Sequence, residues 1–315
     1  MKKFFSLFFS VVLILSLLEI LSRFTLKIIY NRDFDSGLIV EKKYFSSDGL
    51  KENAAGKVWG KNFCTDESGC RKNSKSSSQG KKKWLFIGDS VTEGVGVDDS
   101  CSFSSIASGK IDSLNILNYS LIGYSISDYF NLLKFVLEND SSVKLATVFF
   151  CLNDIYGSAK TGDLPVMAKQ NIIGKLNEFL RDRYATYKLL KIIMFQNANR
   201  YFQYDSNFYE KENPFFTESM NYLNKCFLLC EEKNIEMNLV MLPYRSQLSE
   251  NSEAKPQLLV KEFCERNKIP FYNALDFLRM QKEHKKLYLF ADEIHFSEEG
   301  HRAIAEYLFL NFKTF

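Results

Sequence analysis

Charge of one sign is what this 315-residue chain has least of: 41 lysines and arginines against 38 aspartates and glutamates leave a formal net charge of +3. That balance gives no general electrostatic case for a nucleic-acid partner. The lysines that do cluster, Lys81-Lys82-Lys83 and Lys285-Lys286, are short runs of the kind that solvate a surface. Also missing is any His/Cys cluster of metal-ligand spacing, so no metal is expected. Gly94-Val95-Gly96 lacks the third glycine and the helix of a dinucleotide site. No glycine loop leads into a lysine to cradle phosphate, so no cofactor is expected. No internal repeat is present. The cysteines number seven, an odd count, and Cys226 and Cys230 lie four apart on a predicted helix, where small buried thiols are common. Cys64 and Cys70 are the candidate disulfide if the polar stretch around them faces an oxidising space.

The N-terminus has no small-residue cleavage site of the Ala-x-Ala type after its apolar run. Phe4 to Leu21 is apolar apart from serines and Glu19, and Lys2 and Lys3 precede it. A run of this length reads as an uncleaved transmembrane helix continuing toward Tyr30, in preference to a signal peptide or a buried core helix. Glu19 and Arg23 share one helix face and can pair there, easing the cost of a carboxylate near the membrane interface. Lys2 and Lys3 on one side compete with Arg23, Lys27 and Arg32 on the other, so charge alone does not orient the span. The expected layout is an anchor over 1–30, a juxtamembrane segment and linker over 31–80, and one catalytic domain over 81–315. Within the middle part, Asn73 to Gly80 has the serine-rich composition of a flexible linker.

From Trp84 onward, short apolar runs recur between longer amphipathic ones. Predicted strands are Trp84 to Ile87, Ile116 to Asn118, Leu145 to Cys151, Met237 to Leu242 and Ile269 to Tyr272. Predicted helices are Ile126 to Glu138, Thr217 to Lys233, Pro256 to Asn267 and Ser297 to Phe312. The alternation predicts an α/β fold: a three-layer, doubly wound, flavodoxin-like parallel sheet of about five strands. The stretch 155–216 is long for one connection and carries aromatic and basic residues at helical spacing, from Phe179, Tyr184 and Tyr187 to Phe208 and Tyr209. It reads as a helical insertion, either an added layer whose aromatics are core or a cap shaping a pocket.

Two short segments carry the chemistry. Gly88-Asp89-Ser90 follows the apolar run Trp84-Leu85-Phe86-Ile87, which puts Ser90 in a turn at the C-terminal edge of a strand, where open α/β sheets bind ligands. Asp292-Glu293-Ile294-His295 places an acid three residues before a histidine, close enough for the carboxylate to hold Nδ1 while Nε2 faces the serine. This is the logic of a Ser, Asp, His triad in chain order. Singly, each piece is an ordinary turn or helix-capping feature. His301, six residues beyond His295 and within a helical stretch, reads as structural.

The blocks together resemble the SGNH, or GDSL-type, hydrolases. Phe86-Ile87-Gly88-Asp89-Ser90 is similar to that family's first block, Asn118 to Ser125 to its second, Leu152-Asn153-Asp154 to its third and Asp292 to His295 to its last. The resemblance covers residues 84 to 312 and keeps the family's order. It implies an oxyanion hole from the backbone N–H of Ser90, the N–H of Gly123 and the side-chain amide of Asn153. Such donors are typically each worth about 10²–10³ in turnover. The third block departs from the family, with Cys151 where glycine is usual two residues before the asparagine. A buried strand cysteine is a weak rival nucleophile. The resemblance implies a membrane-anchored serine esterase facing out of the cytoplasm and acting on an acyl ester, here O-acyl (acetyl) groups of cell-envelope glycans. Two other functions stay open on sequence: an O-acyltransferase using the same triad, and a catalytically silent glycan-binding or assembly protein.

Overall fold

A computed structural model describes residues 2–29, 31–73, 82–111, 113–156, 172–195, 200–249 and 254–312. The expected linker 73–80 therefore lies, apart from Asn73, outside the described residues, as do 157–171 and 196–199 of the expected insertion. Helix α1, Lys2–Ile29, is long enough to cross a bilayer, and its apolar stretch Lys3–Ile29 has a mean hydropathy of 2.5. Its only buried side chains among the described residues are Ser22 and Leu26.

Residues 31–73 fold as two hairpins. Strands β1 (Ile39–Tyr44) and β2 (Ser47–Leu50) pair antiparallel, as do β3 (Ala55–Val58) and β4 (Lys61–Cys64). Both dock on the α/β unit that follows through polar contacts: Ser47 Oγ donates to Asp128 Oδ1 at 2.6 Å, and the backbone N–H of Cys64 donates to Asp99 Oδ2 at 2.9 Å. Cys64 and Cys70, the candidate disulfide, are both free thiols.

The α/β unit is built on five parallel strands: β5 (Lys82–Ile87), β6 (Leu114–Asn118), β7 (Val143–Phe150), β8 (Glu236–Met241) and β9 (Phe271–Asn273). They lie in the order β6-β5-β7-β8-β9, so the sheet is the doubly wound one the alternation predicts. Its helices are α2 (Ser90–Glu93), α3 (Phe103–Lys110), α4 (Ile126–Asn139), α5 (Ile172–Arg183), α6 (Ala185–Phe195), α7 (Arg200–Ser206), α8 (Pro214–Glu232), α9 (Lys255–Arg266), α10 (Leu275–Arg279) and α11 (Glu298–Phe312). The winding reverses after β6. With right-handed crossovers, α3 then covers one face and α4, α8 and α9 the other. The packing agrees, since α4 rests on α8 and α11 returns to rest on α3.

Helices on both faces explain why the strands read as continuous apolar runs and not as alternating ones. Trp84, Leu85, Phe86 and Ile87 are all fully buried. The indole N–H of Trp84 still needs an acceptor, and Thr147 on β7 supplies it at 2.8 Å while donating to Asn238 Oδ1 on β8 at 2.7 Å. A chain of buried polar side chains thus links three strands. The reversal leaves a crevice at the C-terminal ends of β5 and β7, and the residues that follow those strands fill it.

Candidate active site

Strand β5 ends in Gly88-Asp89-Ser90. A Cβ on Gly88 would sit 2.2 Å from Thr92 Oγ1 and 2.6 Å from Thr92 Cβ, so only glycine lets the chain turn into α2 here. Asp89 caps that helix, its Oδ1 accepting from the backbone N–H of Val91 at 2.9 Å. Ser90 is thereby fixed as the first helical residue and is buried, with its Oγ 2.9 Å from His295 Nε2.

The histidine is delivered by a side-chain-closed turn. Asp292 Oδ1 accepts from the backbone N–H groups of Ile294 (2.7 Å) and His295 (2.9 Å), while Oδ2 lies 3.0 Å from His295 Nδ1. One carboxylate therefore shapes the loop and orients the ring. Burial acts to raise the Asp292 carboxyl, but the adjacent His295 and Arg32 outweigh it and hold the group below the usual carboxylate range.

Arg32 and Trp59 at this end, and Tyr244 and Asp205 beside Asn153, border the site and were missed by sequence reasoning. Arg32, just beyond α1, donates from Nη2 to Asp292 Oδ2 at 2.6 Å. Its guanidinium also lies 4.7 Å from the centre of the Trp59 ring, and Trp59 meets the His295 imidazole edge-to-face at 4.6 Å. Trp59 and Gly60 form the two-residue turn between β3 and β4 with φ of 51° and 74°. Both are left-handed, as a type I′ hairpin turn demands, and a tryptophan at such a position is strained. Tyr244, after β8, is fully buried and donates to Asp205 Oδ2 at 2.6 Å and to Asn153 Oδ1 at 3.2 Å. Asp205 on α7 also accepts from Tyr156, and burial pushes its carboxyl up to about 6. Acid residues near polar aromatics are a weak signal in sequence, and nothing there linked Arg32 or Trp59 to His295.

Of the expected oxyanion residues, Asn153 is tied to the residue before Ser90, and Gly123 lies in a loop tied to the helix that Ser90 opens. Asn153 sits in the turn after β7 and donates from Nδ2 to Asp89 Oδ2 at 3.0 Å, an oxygen 3.5 Å from Ser90 Oγ. An amide nitrogen carries two hydrogens, so one remains for a ligand. Gly123 lies in the β6–α4 loop, tied to α2 through Ile122, whose N–H donates to Glu93 Oε2 at 2.7 Å. A Cβ there would meet no atom within 4 Å, so the demand for glycine comes from its φ of +84° and not from crowding.

Cys151, the departure from the family pattern, is fully buried, and burial pushes its thiol well above the ordinary value. Its backbone N–H donates to Asp154 Oδ2 at 2.6 Å, closing the turn that presents Asn153. His301 is buried too. Its Nδ1 accepts from the N–H of Phe103 at 3.2 Å, a cap on α3, and desolvation beside Arg71 pulls it down to about 3. Its ring therefore accepts as a neutral imidazole in the cap on α3.

No curated protein is significantly similar to the chain. Several solved structures share 12–15% identity with it: a lipolytic protein of the G-D-S-L family from Veillonella parvula (15% identity, 74% of this chain and 98% of that one, TM-score 0.44), an acetylxylan esterase from Geobacillus stearothermophilus (15%, 73% and 93%, 0.43) and a psychrotrophic esterase from Pseudoalteromonas sp. (12%, 74% and 98%, 0.42). The family model described as GDSL-like lipase/acylhydrolase matches residues 86–303, a stretch that runs from the end of β5 through the Asp292–His295 loop into α11. With most of its length matched in this way, the chain belongs to the GDSL-like lipase/acylhydrolase family and is an ester hydrolase of SGNH type.

Proposed function

We propose that Ser90, His295 and Asp292 are the catalytic triad of this hydrolase, and the observation that carries the reading is the unbroken run Ser90 Oγ, His295 Nε2 and Nδ1, Asp292 Oδ2 at 2.9 and 3.0 Å. In it, Ser90 Oγ attacks the ester carbonyl as His295 Nε2 takes the hydroxyl proton. The N–H groups of Ser90 and Gly123 and the free amide hydrogen of Asn153 receive the oxyanion. Collapse expels the alcohol with the proton from His295, leaving an acyl-Ser90 ester. Water, deprotonated by the same imidazole, hydrolyses it and regenerates the serine. Asp292 holds the tautomer and balances the imidazolium.

The substrate of this reading is an O-acyl, chiefly O-acetyl, group on a cell-envelope glycan, with α1 as a membrane anchor and the catalytic domain outside the cytoplasm. In its support, the half-buried Trp59 sits against His295, and aromatic side chains suit sugar rings. Purified full-length protein in detergent tests it with an aryl acetate and with an O-acetylated glycan, each with and without an acceptor sugar. The expected result is free acetate from both esters whether or not the acceptor is present. Acetylated acceptor in place of free acetate would instead make the protein an acyltransferase, and no turnover of any ester would contradict the triad reading.

A further inference from the structure

The helical insertion meets α1 at a polar joint. Glu19, inside the apolar helix, accepts from the backbone N–H groups of Ala185 (2.9 Å) and Thr186 (3.0 Å) and from Thr186 Oγ1 (3.0 Å), and so caps the N-terminus of α6. Arg23, paired with Glu19, also donates to the carbonyl of Arg183 at 3.3 Å. A carboxylate is costly in an apolar span unless it finds donors, and the first N–H groups of a helix need acceptors; each meets the other's need. Helix α6 therefore starts at the level of the α1 chain where Glu19 sits, and α5 packs beside α6.

An ordinary surface helix turns its apolar stripe toward a core. Here the stripes point outward. On α6, Leu190, Ile193 and Met194 recur at helical spacing and are 51%, 60% and 69% exposed, while Ile192 is buried; on α5, Leu176 and Phe179 are likewise exposed. Helix α6 also packs against α1, whose own apolar side chains are exposed. At the joint, Arg23, Arg181, Arg183 and Lys188 line one open cleft together with Asp182. An apolar face bordered by basic side chains is the pattern of a helix lying in the boundary between headgroups and acyl chains, with its cations reaching toward anionic lipid.

We propose that α5 and α6 lie in the interface of the bilayer that α1 spans, as a second membrane contact of the same chain. The inference rests on the reading of α1 as a membrane anchor. The occupant is lipid and not a second copy, because α6 packs on the proposed span itself and the cleft beside it is edged by positive charge complementary to anionic headgroups. The same insertion includes α7, whose Asp205 accepts from Tyr244 beside Asn153.

The test uses the full-length protein in vesicles of phosphatidylcholine and phosphatidylglycerol. Met194→Cys on α6, Leu15→Cys on α1 and Leu258→Cys at an exposed position of α9 are each labelled with a polarity-sensitive fluorophore, and the parent labelled in the same way sets the baseline for the native thiols. Vesicles carrying nitroxide-labelled acyl chains should quench and blue-shift the probes at 15 and 194 and leave 258 unaffected. Quenching at 15 with 194 behaving like 258 would overturn the inference while leaving the anchor in place. Failure at both 15 and 194 would overturn the anchor reading itself. Shielding of 194 from aqueous iodide without nitroxide quenching would assign the face to protein and overturn the lipid assignment.

Discussion

At the scale of single residues, the Asp292 carboxylate does most to set the site, because one group shapes a turn, holds His295 and meets Arg32. Arg32 is part-exposed, with 37% of its side chain open to solvent, so its pairing is screened and worth up to about 1 kcal/mol. Arg32→Gln should lower kcat by up to about fivefold with KM little changed, since the arginine touches Asp292 and not the space before Ser90. A steady-state comparison with Arg32→Lys, which should recover part of the loss, checks this; a rise in KM at constant kcat would place the arginine on the substrate instead. His301→Ala separates the two histidines near the C-terminus. Removing a buried acceptor leaves the N–H of Phe103 unsatisfied and should cost about 1–3 kcal/mol of stability in denaturant titration. Esterase kcat should stay close to the parent value. The GDS turn and the Asp-x-x-His loop were legible in sequence because each is local: a glycine crowded by Thr92, a cap on the next helix, a carboxylate reaching N–H groups two and three residues on. Arg32 and Trp59 were not legible, because they reach the dyad across more than 200 positions and nothing in a Trp-Gly pair announces a hairpin turn.

At the scale of elements, α2 is one turn long and owes its position to what binds its ends. Arg71, fully buried, donates to the carbonyls of Glu93 (2.5 Å), Gly94 (2.6 Å) and Val97 (2.7 Å) and to Asp99 (3.1 Å). Carbonyls that a short helix leaves without partners are thus satisfied by a residue from outside the α/β unit. Glu93 on the same helix is fully buried, and desolvation pushes its carboxyl up to about 8 even though Arg71 pulls the other way. Its folded value lies above the ordinary 4.5, so its favourable contribution is complete below 4.5 and is lost as pH rises through about 8. Glu93→Gln keeps an acceptor for Ile122 but cannot ionise. The parent's melting temperature should therefore fall, relative to that of Glu93→Gln, as pH rises from about 5 to about 9. Parallel curves over that range would show that Glu93 ionises without cost. The five strands and the helices α4, α8, α9 and α11 were readable from apolar runs and helical periodicity. The hairpins of 31–73 were not, since β1, β3 and β4 bury only scattered positions, and β2, though largely buried, is the polar-looking Ser47-Asp48-Gly49-Leu50. Helix α3 escaped notice for a related reason: its serines look like loop residues, whereas Ser104, Ser105 and Ser108 are buried, and Ser104 bonds to Asn118.

At the scale of the whole molecule, the chain between α1 and the sheet is part of the catalytic unit. It supplies Arg32 and Trp59 to the dyad and Arg71 to α2, so the proposed anchor and the proposed catalytic residues are linked by ordered structure over 31–73. The extracytoplasmic placement predicts that protease added to spheroplasts with an intact inner membrane digests the domain beyond residue 31. Protection until detergent is added would put the domain in the cytoplasm.

The central claim, that Ser90 is the nucleophile activated by His295, is tested most directly by reacting the purified full-length protein with a serine-directed fluorophosphonate and locating the adduct by peptide mass spectrometry. The parent should carry the label on the peptide containing Ser90, Ser90→Ala should carry none, and His295→Ala should react far more slowly. Ester turnover in the two variants should fall by roughly 10⁴–10⁶-fold, and the double variant should be little worse than either, because triad members act as a unit. An adduct on another residue, with ester turnover retained in Ser90→Ala, would contradict the account.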